Sequence, residues 1–239
     1  TFGKDLGIDK NESIPFIAGE DIYLTIDYNL QSRIEELLKG YKGSIICMNP
    51  ESGDILAMAS APDYSLSQFI GPLKTETWEK WKKEKRLLNR ATQGSYPPGS
   101  LYKLVTAIMF MDAQLGTKEH SILCDGKFEL EDQSNPGKPK IFRCWKETGH
   151  GNVNLHDAIV QSCNVYFYNK ILEYQNTNTY IINDLHEYAE KLGFNKKTGI
   201  EIPEKKGRIP NSDWMVINQG KRWPKRGNMP NLSIGQGAN

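Results

Sequence analysis

The strongest limit on the fold comes from residues 97–111, where a segment that ends regular structure is followed by an apolar helix. Pro97-Pro98-Gly99 ends any preceding element, because proline lacks an amide donor and glycine is common at such breaks. The residues after it are apolar on nearly every side of a helix: Leu101, Leu104, Val105, Ile108, Met109 and Met111. A helix of that kind is usually buried in the centre of a domain. We therefore predict a globular domain built around a helix that starts near Ser100.

The residues before this helix predict a mixture of helix and strand. Asp21–Asp27 alternates polar and apolar residues, which indicates a short strand or an extended arm. Asp27 is an N-cap for a helix over Tyr28–Lys39. Ser44–Met48 and Ile55–Ala59 are apolar stretches on either side of a turn-forming loop, so they predict a hairpin.

The residues after the helix are less regular. Residues 121–152 are polar and show no period, and a stretch of that length inside a domain needs a cross-link or a function. Helical patterns follow in Asn154–Glu173, interrupted near Ser162, and in Ile181–Leu192. Beyond Thr198 we predict mostly turns.

The charge of the chain argues against nucleic-acid binding, and its hydropathy argues against a membrane-spanning helix. The formal net charge is +1, so the chain has no overall positive field to bind nucleic acid. No apolar run reaches the roughly 18–20 residues that a membrane-spanning helix needs.

Ser100 and Lys103 are the first candidate catalytic pair. Residues three apart on a helix share a face, and a lysine among apolar side chains loses its proton more easily and can act as a base. At the helix N-terminus, backbone N–H groups and the helix dipole favour an oxyanion. The pattern is weak alone, since it also fits an N-cap serine beside a solvated lysine.

Ser162-Cys163-Asn164 is a second polar motif, about sixty residues later, within a helical segment. A second hydroxyl could relay a proton, and the asparagine amide could hold a substrate amide. Alone, the motif also fits a polar helix kink.

Together and in this order, the two motifs resemble the transpeptidase domain of the class B penicillin-binding proteins. The similarity extends over nearly the whole chain. Matching blocks are Leu24–Asp27, Asn49–Ser60, Asn89–Thr92, Gly149-His150-Gly151 and Ser233–Gly237. The Gly-His-Gly block resembles the elongation-type branch of that family.

The resemblance implies an α+β fold of the penicillin-binding and serine β-lactamase type, with helices around an antiparallel sheet. One transpeptidase domain is expected over residues 1–239, with a linker and arm in residues 1–27 and a zinc-bound insertion in residues 121–152. Later strands of the sheet are expected beyond Asn239. The family's third motif, Lys-Thr/Ser-Gly, is expected on one of them. Lys197-Thr198-Gly199 has these letters, but it follows a helix-closing Gly-Phe-Asn, so we assign it to a turn.

The implied function is a peptidoglycan D,D-transpeptidase of lateral cell-wall elongation that β-lactams inhibit. Ser100 would be the nucleophile and Lys103 its general base, while Ser162 relays protons and Asn164 orients Lys103 and the substrate amide. The expected partners are peptidoglycan stem peptides, β-lactam antibiotics, a scaffold protein of the elongation machinery and a lipid-linked glycan polymerase. The expected location is the periplasmic part of a protein anchored in the inner membrane. Two alternatives remain, a serine β-lactamase and a non-catalytic module that senses β-lactams or binds proteins.

Cys124, Cys144, His150 and Cys163 bracket the irregular stretch, at separations of 20, 6 and 13 residues. No pair has knuckle spacing, yet three thiolates and one imidazole form a permitted closed tetrahedral zinc set. Some elongation-type relatives bind zinc at matching positions, so the resemblance implies a structural zinc on these four residues. A Cys124–Cys144 disulfide and free thiols remain alternatives. Cys47 lies in the predicted hairpin and is assigned to the core.

Overall fold

The computed structural model describes residues 17–116, 120–132, 135–220 and 226–237. The chain divides into two compact units, residues 1–87 and residues 88–239. Residues 1–16 of the predicted arm lie outside the described part. The expectation of a single transpeptidase domain over residues 1–239 stays a prediction.

In the first unit, one helix packs on a two-stranded antiparallel sheet. Helix α1 (Tyr28–Leu38) begins at Asp27, whose carboxylate accepts a hydrogen bond from the Leu30 N–H at 2.8 Å, as predicted. Strand β1 (Gly43–Met48) pairs with strand β2 (Ile55–Ala61). Buried residues of α1 and β2 form the core of this unit: Ile34, Leu38, Ala57, Ala59 and Ala61. The alanines leave room for the helix to lie close to the sheet.

The predicted arm forms no regular helix or strand in residues 17–27, and its end lies along the free edge of β2. The Asp27 N–H donates to the Leu56 carbonyl at 2.9 Å. The Gln31 side-chain amide then bonds Met58 twice, donating to its carbonyl at 2.9 Å and accepting from its N–H at 2.8 Å. These contacts satisfy backbone groups that the two-stranded sheet leaves unpaired.

A second helix of this unit is α2 (Thr75–Glu84). Its buried Trp81 packs against the rings of Tyr64 and Phe69, with centroids 5.2 and 5.6 Å away.

Helices form most of the second unit. They are α3 (Arg90–Gln93), α4 (Lys103–Asp112), α5 (Leu155–Val160), α6 (Asn164–Thr177), α7 (Ile181–Lys191), α8 (Ser212–Gln219) and α9 (Met229–Ser233). A 3₁₀ turn, Gly99–Tyr102, leads into α4. Helix α4 packs against α5, α6 and α7, and α9 packs against α6. Among the residues that the structure describes, no helix is both long and apolar enough to span a membrane.

Helix α4 is buried on one side only, although its sequence is typical of a helix buried in the centre of a domain. Val105, Met109 and Phe110 are buried, because this side packs on the neighbouring helices. Four apolar side chains of α4 and the turn before it are exposed by 38–72%: Leu101, Leu104, Ile108 and Met111. The second unit therefore presents an apolar stripe along α4.

Residues 121–152 are not structureless. Two short strands, β3 (Ile122–Cys124) and β6 (Gly151–Val153), pair antiparallel and enclose a second antiparallel pair, β4 (Lys127–Leu130) and β5 (Lys140–Arg143). Strands of three or four residues are too short for alternation to be visible in the sequence. Two more helices, α8 and α9, lie where the sequence predicted mostly turns.

Candidate active site

The structure brings the four predicted catalytic side chains together. Lys103 Nζ donates to Asn164 Oδ1 at 2.6 Å and to Ser162 Oγ at 3.0 Å. The hydroxyl oxygens of Ser162 and Ser100 are 3.2 Å apart. A hydrogen-bonded path thus runs from Lys103 through Ser162 to Ser100, although Ser162 is about sixty positions away from the other two in the sequence.

Each of these side chains is placed by the start or the interruption of a helix. Ser100 lies in the 3₁₀ turn before α4, and Lys103 is the first residue of α4. Asn164 is the first residue of α6. Ser162 lies between α5 and α6 with a φ of +52°, a left-handed conformation that is uncommon for residues other than glycine. The predicted interruption of the helical segment is therefore the feature that turns Ser162 toward Lys103.

Lys103 is only 3% exposed, and this burial controls its charge. Burial lowers the pKa of the Lys103 ammonium to about 8, although the nearby thiols of Cys144 and Cys163 act in the opposite direction. The Phe167 ring lies 5.6 Å from Nζ and forms part of the apolar surroundings. A lysine with this pKa is partly neutral near pH 7, as a general base must be.

The block Ser233–Gly237 packs against the turn that carries Ser100. The Gly99 N–H donates to the Gly235 carbonyl at 3.1 Å, and Thr106 Oγ1 donates to the Ser233 carbonyl at 2.8 Å. A Cβ on Gly235 would lie 2.3 Å from the Gly99 carbonyl oxygen. This close approach explains why glycine stands there, and it shows that the block supports the turn that carries Ser100.

The predicted metal ligands also form one cluster. The ligand atoms of Cys124, Cys144, His150 and Cys163 all lie within 4.8 Å of one another. His150 Nδ1 is 3.5 Å from Cys124 Sγ and 3.6 Å from Cys144 Sγ. All four cysteines of the chain are described and are free thiols, and Cys47 lies in β1, away from the cluster in sequence and unit.

The paired strands of the insertion bring the ligands together. Cys124 ends β3, and Cys144 directly follows β5. His150 precedes β6, and its N–H donates to the Cys124 carbonyl at 3.0 Å. Gly149 has a φ of +77°, and a Cβ there would lie 2.1 Å from the same carbonyl oxygen. The Gly-His-Gly block is thus the turn that places the imidazole over the thiols.

The thiols differ in their tendency to ionise. Burial raises the pKa of Cys163 to about 12. Burial also acts to raise the pKa of Cys144, but hydrogen bonds from the backbone N–H groups of Asn164, Lys146 and Val165 outweigh it and lower that pKa. The Asn164 N–H lies 3.4 Å from Cys144 Sγ. The cluster is therefore bonded directly to the backbone of the second catalytic motif.

Lys197-Thr198-Gly199 lies in a loop after α7, in agreement with its assignment to a turn. The Glu204 carboxylate accepts hydrogen bonds from the backbone N–H groups of Thr198 and Gly199 at 3.0 and 2.9 Å. Gly199 has a φ of +87°. These are features of a closed turn rather than of a strand.

Sequence reasoning missed Trp145 and Phe167, which also contact the catalytic groups. Trp145 Nε1 donates to the Ser162 carbonyl at 3.1 Å. Trp145 follows a ligand cysteine in an irregular stretch, so periodicity gave no signal for it. Phe167 lies one turn after Asn164 in α6, and this spacing could have indicated that its ring faces the same site.

Comparison with known proteins gives a consistent result. The family "Penicillin binding protein transpeptidase domain" matches residues 43–234. Over 223 residues, the chain is 36% identical to the peptidoglycan D,D-transpeptidase MrdA of Acinetobacter baumannii, and the match covers 92% of this chain and 31% of that protein. The chain spans about a third of the length of the curated relatives that it matches first.

Solved structures of similar fold come from the same group. One is a complex between a penicillin-binding protein, PBP2, and MreC from Helicobacter pylori, with a TM-score of 0.77 and 32% identity, covering 89% of this chain and 38% of that one. Another is Pseudomonas aeruginosa PBP2 in complex with WCK 5153, with a TM-score of 0.76 and 31% identity, covering 92% of this chain and 48% of that one. The expected α+β fold with helices and antiparallel sheets is confirmed.

Proposed function

The chain belongs to the penicillin-binding protein transpeptidase family, and from this premise we propose that it acts in peptidoglycan D,D-transpeptidation during lateral cell-wall elongation. The observation that carries the proposal is the hydrogen-bonded path from Lys103 through Ser162 to Ser100. Such a path can take the proton from a serine hydroxyl as that hydroxyl attacks a carbonyl. The substrate class is a stem peptide that ends in D-Ala-D-Ala.

The reaction would proceed in two steps. Ser100 Oγ attacks the carbonyl of the penultimate D-Ala and forms an acyl ester, while its proton passes toward Lys103. The terminal D-Ala then leaves, and its nitrogen takes a proton through Ser162. In the second step the amine of another stem peptide attacks the ester, forms the cross-link and releases Ser100. Asn164 contributes by accepting from Lys103 Nζ, which holds the amine beside Ser162.

Covalent labelling tests this proposal. β-Lactams resemble D-Ala-D-Ala, so a fluorescent penicillin should label the full-length protein at Ser100, and Ser100→Ala should abolish the label. Lys103→Ala should slow acylation by about 10²–10⁴, the usual contribution of a positioned base. Labelling that survives Ser100→Ala would contradict the assignment. Rapid release of the label by hydrolysis would instead favour the β-lactamase alternative.

We also propose that Cys124, Cys144, His150 and Cys163 hold one structural zinc ion. The support is the donor set and its spacing. For Zn–S of about 2.3 Å and Zn–N of about 2.0–2.1 Å, a tetrahedral site has N–S edges of roughly 3.6 Å. The edges from His150 Nδ1 to the sulfurs of Cys124 and Cys144 are 3.5 and 3.6 Å. With four protein ligands the ion would act as a cross-link and would have no position open for substrate.

Elemental analysis of freshly purified protein tests the zinc proposal. About one zinc per chain is expected in the wild type and in Cys47→Ser, which removes the cysteine outside the cluster. Cys144→Ser and His150→Ala should lower zinc content and thermal stability and should slow acylation. Sub-stoichiometric metal together with a Cys124–Cys144 disulfide, detected by mass spectrometry, would contradict the proposal.

We further propose, from the family resemblance, that the protein works in the periplasm, anchored to the inner membrane, beside a scaffold protein and a lipid-linked glycan polymerase. The support is indirect, since a PBP2 of similar fold forms a complex with MreC. Co-purification of the full-length protein with its own organism's scaffold protein and polymerase tests this proposal. No co-purification with either partner from detergent-solubilised membranes would contradict it.

A further inference from the structure

Trp145 forms an unusual contact beside the catalytic groups. Its indole Nε1 lies within hydrogen-bond distance of two consecutive carbonyls, Gln161 at 3.0 Å and Ser162 at 3.1 Å. The residue is 63% exposed, so burial of apolar area does not explain why a tryptophan is held there. The contact crosses between two segments, the one after Cys144 and the one before Cys163.

The Ser162 carbonyl is bonded from two sides. It accepts from Trp145 Nε1 and also from Lys103 Nζ, the latter at 2.8 Å. Because Ser162 has a φ of +52°, its peptide is in a conformation that persists only where the surroundings fix it. The same conformation directs Ser162 Oγ toward Ser100.

We propose that Trp145 is a positioning residue for acyl transfer. Its indole N–H fixes the Ser162 peptide, so that the hydroxyl of Ser162 stays between Lys103 and Ser100. This inference deepens the proposed function and rests on it. In the described residues, Trp145 makes no hydrogen bond to Ser100 and no cation–π contact with Lys103, so it acts through Ser162.

The cysteine cluster alone does not fix this peptide. The Cys163 N–H of this peptide donates to the Ala158 carbonyl at 2.8 Å, which ties the peptide to the end of α5. The Asn164 N–H near Cys144 Sγ restrains the residue on the other side of Cys163. Trp145 ties the carbonyl of the same peptide to the segment after Cys144, and its own ring lies against His150, edge to face with centroids 5.4 Å apart.

Two substitutions separate the N–H donor from the ring. Trp145→Phe keeps an aromatic ring against His150 but removes the donor, and Trp145→Ala removes both. Acylation by a chromogenic penicillin should be resolved into the first-order step and the dissociation constant of the initial complex. We expect both variants to lower the first-order rate constant of acylation about 10-fold, the usual effect of one hydrogen bond. The dissociation constant of the initial complex should change less than twofold. Trp214→Phe is the matched control, because Trp214 is in the same unit and its ring contacts Arg208 instead.

Zinc content and melting temperature of Trp145→Phe should equal those of the control, which distinguishes positioning from loss of structure. A Trp145→Phe variant with the wild-type first-order step would overturn the inference, even if Trp145→Ala is slow. Nuclear magnetic resonance of the wild type gives a test that needs no variant. The Trp145 indole N–H should exchange slowly despite the exposed ring, and fast exchange would overturn the inference. Failure of the wild type to be acylated at all would contradict the proposed function instead.

Discussion

The burial of Lys103 lowers its pKa and so determines whether its amine can act as a base. Its surroundings disfavour the ammonium form, because the side chain is only 3% exposed and burial lowers its pKa. Only the neutral amine can accept the Ser100 proton, so a depressed pKa increases the active fraction near neutral pH.

The acylation rate should therefore rise with pH and level off above about 8, the pKa of Lys103. Below that pH the amine is protonated and the rate falls about tenfold per unit, whereas above it the amine is neutral. The second-order constant for a penicillin, measured from pH 6 to 10, tests this expectation. Asn164→Ala removes the contact that holds the Lys103 amine and should lower the rate constant that is reached at high pH. A profile that is flat from pH 6 to 10 would contradict the role of Lys103 as the base.

Gly235 should be the least replaceable glycine in the turn against Ser100. A Cβ there would lie 2.3 Å from the Gly99 carbonyl oxygen and 2.7 Å from Tyr102 Cβ, and φ is +70°. We expect Gly235→Ala to lower the free energy of unfolding by about 3 kcal/mol, because strain and overpacking add. Gly237 has a φ of +88°, but a Cβ there would have no neighbour closer than 3.8 Å. Gly237→Ala should therefore lower the free energy of unfolding by only about 1 kcal/mol. Urea unfolding measures both, and equal losses would show that strain alone matters.

At the level of secondary structure, the sequence predicted what local chemistry dictates. The N-cap at Asp27, the hairpin of β1 and β2 and the break between α5 and α6 are confirmed, since each depends on neighbouring residues. The strands of residues 121–152 were missed because non-local pairing defines them. Helices α8 and α9 were missed because proline and glycine around them obscured any helical period. The four predicted catalytic residues and the four predicted ligand residues lie together in the structure, since family motifs identified them, while Trp145 needed the three-dimensional contact.

Helix α1 stabilises the hairpin through the side-chain amide of Gln31, which pairs with the backbone of β2 as a neighbouring strand would. Gln31 both donates to and accepts from the backbone of Met58, so its loss leaves two partly buried groups unpaired. Gln31→Ala should lower the free energy of unfolding of the first unit by about 2 kcal/mol. Arg33→Ala is the control, because its ion pair with Glu36 is more than 60% exposed on both sides and should contribute less than about 0.5 kcal/mol. Chemical denaturation measures both values, and a Gln31→Ala loss as small as the control would contradict this account.

At the level of the whole molecule, the apolar stripe on α4 is the feature that should most affect the behaviour of the chain in solution. Leu104 and Ile108 lie in it, and they are 51% and 38% exposed. An apolar stripe of this kind favours association between molecules. The same stripe explains why the sequence pattern of α4 indicated complete burial.

A polypeptide of residues 1–239 should therefore self-associate at micromolar concentration, as sedimentation velocity would show. Replacing Leu104 and Ile108 together by lysine should shift it toward monomer. Ile217→Lys, at an exposed apolar residue of α8, is the control and should have little effect. A wild-type polypeptide that is monomeric and unfolds in one cooperative transition would contradict the prediction.

Ser162 has few acceptable replacements, because two requirements meet at one residue. The proton path needs a hydroxyl, and the backbone needs a residue that tolerates a φ of +52°. Threonine supplies the hydroxyl, but its branched Cβ makes the left-handed conformation unfavourable. Glycine and asparagine accept the conformation but lack the hydroxyl. If the protein has the proposed function and β-lactams select among its variants, we expect resistance to evolve at other positions, because changing Ser162 would remove transpeptidase activity together with drug sensitivity.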